Sequence, residues 1–294
     1  MSHSRGTTGA HPPSRKTVTF GHSPDADDAF MFFGIAAGKV GIEGHEVQHV
    51  MEDIESLNRR AETGDLDVTA ISAAHYPKVA GSYRIMSCGA SVGRKYGPVM
   101  VSARPLAEQD LAGKRIAIPG EFTTSYMLCR IFVSAPFTPV FMHFDKVTSA
   151  VIDGKADAGI LLHEGQILFE RQGLHKIVDL GERWFESTGL PIPLGLDVVH
   201  RRLGPRLGQA ATDALHRSIK YARANEDAAL DYALGFGRGI AKEDARRFVR
   251  MYVNDDTVDM GEEGRKALDT LYTRAEGKGL IGPKPILDLV QAAP

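Results

Sequence analysis

The sequence predicts an α/β protein with two lobes and a ligand-binding cleft between them. Short β-rich runs alternate with helical segments, a pattern typical of parallel sheets with right-handed crossovers. The order strand, loop, helix, strand, helix, Gly-x-x-Asp turn, strand occurs twice, beginning near residue 17 and near residue 114. The length supports the same interpretation, because 294 residues are enough for about two domains. Chance similarity between two βαβ units is the alternative explanation of the repeat.

Both repeat units are bounded by β-rich runs, and only their Gly-x-x-Asp turns are alike in sequence. In the first unit we predict a strand at residues 17–21, a polar loop at 22–28, a helix at 29–37, a strand at 46–51, a helix at 54–63 and a buried strand at 68–71. In the second unit we predict a strand at 114–120, a polar loop at 121–125, a helix at 126–133, a strand at 140–144, a short helix at 148–152 and a strand at 158–162.

The remaining segments complete the two lobes. Further strands are predicted at residues 84–88, 99–103 and 194–200, and helices at 207–223, 228–234, 242–252 and 262–277. We therefore expect a discontinuous first lobe formed by residues 17–104 and 196–294, and a second lobe formed by residues 105–195. The polar residues 1–16 are expected to form a disordered tail. Two chain crossings, near residues 104 and 195, make a hinge, and hinged lobes bind ligands between them.

The composition limits the classes of partner. Lys plus Arg total 35 and Asp plus Glu total 37, so no basic excess points to nucleic acid or to an anionic membrane. Two distant cysteines, Cys88 and Cys129, form neither a zinc motif nor a disulfide framework, and we expect buried reduced thiols. No apolar run resembles a signal peptide or a membrane span. We therefore expect a cytoplasmic protein without a membrane span, and the sequence leaves its oligomeric state open.

Four polar loops follow predicted strands, at residues 23–28, 72–74, 121–125 and 163–165. Ligands of open parallel sheets bind beyond the carboxyl ends of the strands, so these loops are the candidate site. In the third loop, Thr123, Thr124 and Ser125 precede a helix, where free N–H groups and hydroxyls suit a carboxylate. Plain capping of that helix explains the same residues. Ser72 likewise either caps a helix or donates to a ligand, and capping is the commoner role.

His163 ends the predicted strand at residues 158–162 and is the candidate general base, because an imidazole accepts a proton near neutral pH. Its neighbour Glu164 is a possible orienting group. A histidine packed at a strand end is the alternative. The acids Asp25, Asp27 and Asp28 suggest Mg²⁺ or Ca²⁺, but the ligand series of a calcium loop is absent, and helix capping is the commoner use of such acids.

Several segments together resemble a known family. They are GHSPDADDAFMF at residues 21–32, EDIESLN at 52–58, IPGEFTTSY at 118–126, AGILLHEG at 158–165 and GLPIPLG at 189–195. In their order and spacing they are similar to the 1,4-dihydroxy-6-naphthoate synthases of the futalosine pathway of menaquinone biosynthesis. The resemblance extends over about residues 18–280.

The resemblance implies a fold, an activity and residue roles. The fold would be a periplasmic-binding-protein-like type II fold, and the activity a carbon–carbon lyase reaction that converts cyclic dehypoxanthinyl futalosine to 1,4-dihydroxy-6-naphthoate. His163 matches the proton acceptor of the family. The remaining matches are expected to bind the small carboxylated substrate: Ala70, Ile71, Ser72, Thr123, Thr124, Ser125, Ser23 and Asp27. This chemistry needs no metal and no cofactor, so we expect neither.

The first polar loop departs from the family pattern. The family usually has Ser-Pro-Cys-Pro-Asn-Asp-Thr-Phe, whereas this chain has Asp25 for the cysteine, Asp27 for the asparagine and Ala29 for the threonine. Ala70 also replaces the usual lysine. An acidic wall should repel a carboxylate unless the acids face elsewhere or bind hydroxyls, so the substrate could differ from the usual one. The alternatives are a solute-binding protein for a small carboxylate and chorismate dehydratase of the same pathway.

Overall fold

The computed structural model describes residues 16–236 and 239–293. Most of the predicted tail therefore lies outside the described residues. Its last residue, Lys16, begins the first strand, one position earlier than predicted.

The described chain forms twelve strands and twelve α-helices, and five of these helices follow one another after β11. The strands are β1 (Lys16–His22), β2 (His45–Met51), β3 (Val68–Ser72), β4 (Tyr83–Met86), β5 (Ser91–Gly93), β6 (Val99–Ser102), β7 (Arg115–Ile118), β8 (Thr138–Phe141), β9 (Ala158–Leu161), β10 (His175–Asp179), β11 (Ile192–His200) and β12 (Leu289–Val290). The helices are α1 (Ala26–Ala36), α2 (Ile54–Thr63), α3 (Tyr76–Val79), α4 (Thr124–Phe132), α5 (Phe144–Ile152), α6 (Gly165–Leu168), α7 (Leu180–Thr188), α8 (Gly204–Ala224), α9 (Glu226–Leu234), α10 (Lys242–Tyr252), α11 (Asp255–Val258) and α12 (Gly261–Gly277).

The strands form two sheets, as the repeated pattern predicts. The first sheet has the order β12-β4-β11-β3-β1-β2, with β5 paired to β11. The second has the order β10-β6-β9-β7-β8. In each sheet the three strands of one repeat unit are parallel. The long strand β11 and the strand β6 run antiparallel to these units, so both sheets are mixed.

Strand β6 differs from its predicted place. We assigned residues 99–103 to the first lobe, but β6 pairs with β9 and β10 in the second sheet. All four residues of β6 are buried, and a short apolar strand of this kind does not indicate by itself which sheet it joins. The chain therefore passes between the sheets at residues 94–98 and again at residues 189–191. The division into lobes at residues 104 and 196 otherwise stays a prediction.

Helices α8, α9 and α10 pack around α1, the helix that follows the first polar loop. The α1 backbone approaches α8 so closely that a Cβ on Gly34 would lie 2.9 Å from the Cα of Ser218. The Ser218 hydroxyl donates to the carbonyl of Met31 at 2.7 Å, which ties the two helices together. Helix α10 has the predicted bounds, and α8, α9 and α12 begin earlier than predicted.

Two further expectations concern the cysteines and the membrane. Cys88 and Cys129 are both free and buried, which confirms that prediction. Across residues 16–236 and 239–293, none of the helices combines the length and the apolar character that a bilayer span requires.

Candidate active site

A cavity lies between the two sheets, and all of the residues predicted for the site line it. They are Ser23, Asp27, Ala70, Ile71, Ser72, Thr123, Thr124, Ser125 and His163. The walls also include Asp25, Asp28, Ser91, Gln166 and Tyr252. Residues from all four predicted loops therefore meet at one cavity, as the rule for strand ends requires.

The loop after β1 is folded by its own carboxylates. Asp25 caps α1, because its Oδ1 accepts a hydrogen bond from the backbone N–H of Asp28 at 3.2 Å. Asp28 Oδ2 in turn accepts from the backbone N–H of Ser23 at 2.6 Å. The predicted capping role of these acids is confirmed for Asp25. Its second oxygen, Oδ2, is left to face the cavity.

Ser72 is held by a buried asparagine instead of capping a helix. Its backbone N–H donates to Asn58 Oδ1 at 2.8 Å, and its hydroxyl accepts from Asn58 Nδ2 at 3.0 Å. The short helix that follows Ser72 has no side-chain cap, so the capping interpretation was wrong. Ala70 and Ile71 precede Ser72 within β3, where they pair with β11. They therefore contribute to the cavity wall from the strand itself.

The start of α4 presents three buried hydroxyl groups. Thr123 caps the helix, with its Oγ1 accepting from Tyr126 N at 3.3 Å, and lies 2.9 Å from the hydroxyl oxygen of Ser125. Thr124 donates to the carbonyl of Leu194 at 2.6 Å. The capping interpretation is thus confirmed for Thr123. The N-terminal N–H groups of a helix also attract anions, so capping and carboxylate binding are compatible here.

His163 has an uncommon backbone conformation, with φ at 51° in the left-handed region. Histidine is one of the few residue types enriched there. This turn directs the imidazole towards the cavity, where its ring packs edge-on against Phe144 with centroids 4.8 Å apart. The backbone and the aromatic contact together restrict the orientation of the ring.

The His163 ring contacts the carboxylate of Asp25. The distance from His163 Nδ1 to Asp25 Oδ2 is 2.9 Å, a hydrogen-bond length. Burial opposes ionisation of Asp25, but the positive charge of His163 and its hydrogen bond outweigh burial and keep the pKa of Asp25 well below its usual range. Asp25 is therefore a carboxylate at neutral pH. We predicted Glu164 as the possible orienting residue and did not expect Asp25 to contact His163.

The other acids of the cavity have raised pKa values. Burial raises the pKa of Asp27 well above its usual value, and the charges of Asp25 and Asp28 add to the effect. Burial also raises the pKa of Asp28, and the charges of Asp25 and Asp197 raise it further. Protonated carboxyl groups donate hydrogen bonds and do not repel anions. The acidic wall inferred from the sequence is therefore less negative than its composition suggests.

The cavity walls contain no lysine and no arginine among the residues that the structure describes. A substrate carboxylate would have to be bound by hydroxyl groups, helix N–H groups, a neutral carboxyl group or the imidazole. One atom each from Asp25, Asp27 and His163 lie within 4.8 Å of one another, so these three residues are the ones that could hold a metal ion. His163 and Asp25 lie at hydrogen-bond distance from each other, so no ion is needed to explain why these two residues are close together.

Two residues that we did not predict for the site, Gln166 and Tyr252, support the histidine loop. The side-chain amide of Gln166 lies 2.6 Å from the Tyr252 hydroxyl, and both groups line the cavity. When the oxygen and the nitrogen of the Gln166 amide are exchanged so that both have hydrogen-bond partners, the oxygen accepts from the backbone N–H of His163 at 3.1 Å. Tyr252 comes from α10, a long way from the loop in sequence, and no local pattern marks that contact.

Comparison with known proteins shows which family the chain belongs to. Residues 18–277 match the protein family described as "Menaquinone biosynthesis". The chain belongs to this menaquinone biosynthesis family. Two curated relatives are named 1,4-dihydroxy-6-naphthoate synthase. The Thermus thermophilus protein is 38% identical over 270 residues, covering 92% of this chain and 98% of that protein. The Streptomyces coelicolor protein is 36% identical over 275 residues, covering 91% and 96%.

Solved structures place this family member in a common fold. A crystal structure from Archaeoglobus fulgidus is 46% identical, has a TM-score of 0.87 and covers 92% of this chain and all 100% of that chain. The alkanesulfonate-binding protein from Xanthomonas axonopodis has a TM-score of 0.70 at 13% identity, with 97% and 100% covered. A Candida albicans protein described as having the generic periplasmic binding protein fold has a TM-score of 0.66 at 13% identity, with 91% of each chain covered. The predicted fold class is confirmed.

Proposed function

We propose that this chain is a 1,4-dihydroxy-6-naphthoate synthase, which cleaves cyclic dehypoxanthinyl futalosine to 1,4-dihydroxy-6-naphthoate with His163 as the proton acceptor. Full-length similarity to two synthases supports the activity. The position of His163 in the cavity between the sheets is the observation that carries the residue assignment. The enzyme is a carbon–carbon lyase. The cytoplasmic location predicted from the sequence stays part of this proposal.

The proposed reaction needs one proton to leave the substrate and one carbon–carbon bond to break. His163 removes the proton, because it is the one histidine among the described residues of the cavity wall. With Nδ1 directed at Asp25, the lone pair of the neutral imidazole lies on Nε2, which is the atom that takes the proton. A positioned general base of this kind contributes about 10²–10⁴ in rate.

The carboxylate and hydroxyl groups of the substrate bind to the hydroxyl-bearing walls in this proposal. Thr123 and Ser125 contribute hydroxyls at the start of α4, and Ser72 contributes one from the facing sheet. Burial raises the pKa of Asp27 and so favours its neutral form, and a neutral carboxyl group donates a hydrogen bond to a carboxylate. Closure of the lobes around the substrate excludes water and strengthens these contacts.

The test is product formation by the purified full chain. Incubation with cyclic dehypoxanthinyl futalosine should yield 1,4-dihydroxy-6-naphthoate, detected by absorbance and mass spectrometry. A parallel incubation with chorismate should yield no enolpyruvyl product. Conversion of chorismate alone would indicate the chorismate dehydratase alternative. A ligand that co-purifies with the chain and is returned unchanged, with neither substrate converted, would indicate a solute-binding protein.

A further inference from the structure

We propose that Asp25 is the positioning residue of His163: a carboxylate supplied by the first sheet orients the base supplied by the second sheet and fixes its tautomer. This inference rests on the proposed function, because it assigns a partner to the proposed base. Asp25 lies on a different loop and in a different sheet from His163. The proposed function, with His163 as the base, does not depend on the contact with Asp25.

The contact between the two side chains is short and sheltered. Asp25 Oδ2 lies 2.9 Å from His163 Nδ1, and the side chains are 2% and 14% exposed. Water therefore competes little for this hydrogen bond, and a charged bond in such a place is stronger than one at the surface. Neither side chain is free to move away, since each is also restrained by its own backbone.

Asp25 is restrained through the carboxylate oxygen that does not contact His163. Oδ1 accepts from the backbone N–H of Asp28 and caps α1, which leaves Oδ2 to face His163. His163 is restrained by its left-handed backbone and by Phe144. The two halves of the pair are thus preorganised separately, one at the N-terminus of α1 and the other after β9.

This geometry determines which nitrogen of His163 is the base. A carboxylate has no proton to donate, so Nδ1 must carry the hydrogen that points to Asp25. The lone pair is then on Nε2, and the negative Asp25 stabilises the imidazolium that forms when Nε2 takes a proton. The same arrangement of acid and imidazole holds the histidine of a Ser-His-Asp triad in its productive tautomer.

Because of the Asp25–His163 contact, the orientation of the base depends on how closely the two sheets face each other. Asp25 follows β1 of the first sheet, and His163 follows β9 of the second. Opening of the cavity would separate the two side chains and leave the ring without its orienting carboxylate. The base is therefore fully assembled only when the two halves are together, as in this structure.

Asp25 is an acid at the ring whose pKa is lowered, so it carries a negative charge over the neutral pH range. His22 is neutral there, because burial and the nearby His49 lower its pKa to about 4. Asp27 and Asp28 have raised pKa values, mainly from burial, and Tyr252 has a pKa raised well above its usual value for the same reason. Glu164, next to His163 in the chain, is the remaining acid on that loop.

The decisive variant is Asp25→Asn. An asparagine still caps α1, so the fold should be preserved, but its amide N–H turned to His163 would force the hydrogen onto Nε2. We expect kcat to fall by about 10²–10⁴ at pH 7 with KM changed only several-fold. The acidic limb of the pH–rate profile should move to lower pH by about one unit, because the stabilising negative charge is gone. Asp25→Glu should recover part of the lost rate.

The matched control is Asp179→Asn. Asp179 is also a buried aspartate that caps a helix, α7, but it does not line the cavity. This control should keep the wild-type kcat and the wild-type pH profile. A thermal unfolding scan of each variant shows whether a loss of rate reflects unfolding.

Failure of this inference and failure of the proposed function give different results. If His163→Asn is inactive while Asp25→Asn keeps the wild-type kcat and pH profile, Asp25 has no positioning role and His163 remains the base. If His163→Asn is fully active, His163 is not the proton acceptor and the inference has no base to position. If the wild-type chain does not convert cyclic dehypoxanthinyl futalosine, the proposed activity itself fails. Loss of wild-type activity in EDTA, restored by Mg²⁺, Mn²⁺ or Zn²⁺, would show that Asp25, Asp27 and His163 bind a metal ion and would overturn the inference.

Discussion

The hydroxyl group of Thr124 joins the two sheets. It donates a 2.6 Å hydrogen bond to the carbonyl of Leu194 on β11 and accepts a 3.0 Å bond from the backbone N–H of Ala74. Thr124 itself begins α4, which follows β7 of the second sheet. One buried side chain therefore satisfies a backbone group of β11 and another in the turn after β3, and it holds the start of α4 against the first sheet.

Replacement of Thr124 by valine should destabilise the protein. The Thr124→Val side chain has a similar shape but leaves both backbone groups unpaired, which costs about 1–3 kcal/mol in the free energy of unfolding. Urea denaturation followed by circular dichroism measures this loss. The control is Thr270→Val, because the Thr270 hydroxyl donates to the carbonyl of Lys266 in its own helix, and this hydrogen bond is exposed. Equal losses in the two variants would contradict the structural role of Thr124.

Asn58 should determine how well Ser72 binds the substrate. The Asn58→Ala change removes both hydrogen bonds to Ser72, so we expect a several-fold higher KM and about 1–3 kcal/mol less stability. Ser72→Ala alone removes only the hydroxyl. In a double-mutant cycle the two changes should be non-additive in KM, because they disrupt the same contact. Additive effects would show that Asn58 does not act through Ser72.

Asp197 should make the protein less stable as the pH rises. Burial raises the pKa of Asp197 to about 8 in the folded chain, so the folded state keeps a proton that the unfolded state loses. The free energy of unfolding should therefore fall as the pH rises from about 4, the ordinary value, towards about 8. Asp27 and Asp28 contribute with the same sign, because their pKa values are also raised.

The Asp197→Asn variant tests this dependence. Its free energy of unfolding should decline less steeply than that of the wild type between pH 5 and pH 8 (urea titrations in buffers of matched ionic strength). A slope equal to that of the wild type would mean that Asp197 is ionised in the folded chain as well.

Much of the fold could be predicted because the informative patterns are local. Alternation of β-rich runs and helical segments, together with the repeated Gly-x-x-Asp turns, indicated two α/β units, and the helix at residues 242–252 was predicted with its bounds. The place of β6 could not be predicted in this way. A buried strand of three apolar residues and a serine fits either sheet, and only long-range pairing with β9 and β10 decides between them.

The site was predicted as a set of loops, and its internal contacts were not. Ligands of parallel sheets bind beyond the carboxyl ends of the strands, and this rule predicts that the four polar loops line one cavity. It requires no knowledge of where the side chains point. Which side chains touch depends on how the two sheets face each other. The Asp25–His163 and Asn58–Ser72 contacts both join separate loops or elements, so neither a cap pattern nor sequence proximity indicated them.

The most direct test of the account is single-turnover conversion of cyclic dehypoxanthinyl futalosine by His163→Asn. Asparagine tolerates the left-handed backbone at this position, so the loop should keep its shape while the base is lost. We expect the rate to fall by about 10²–10⁴ while calorimetry shows that the substrate still binds within several-fold of the wild-type affinity. Conversion at the wild-type rate would show that another group takes the proton.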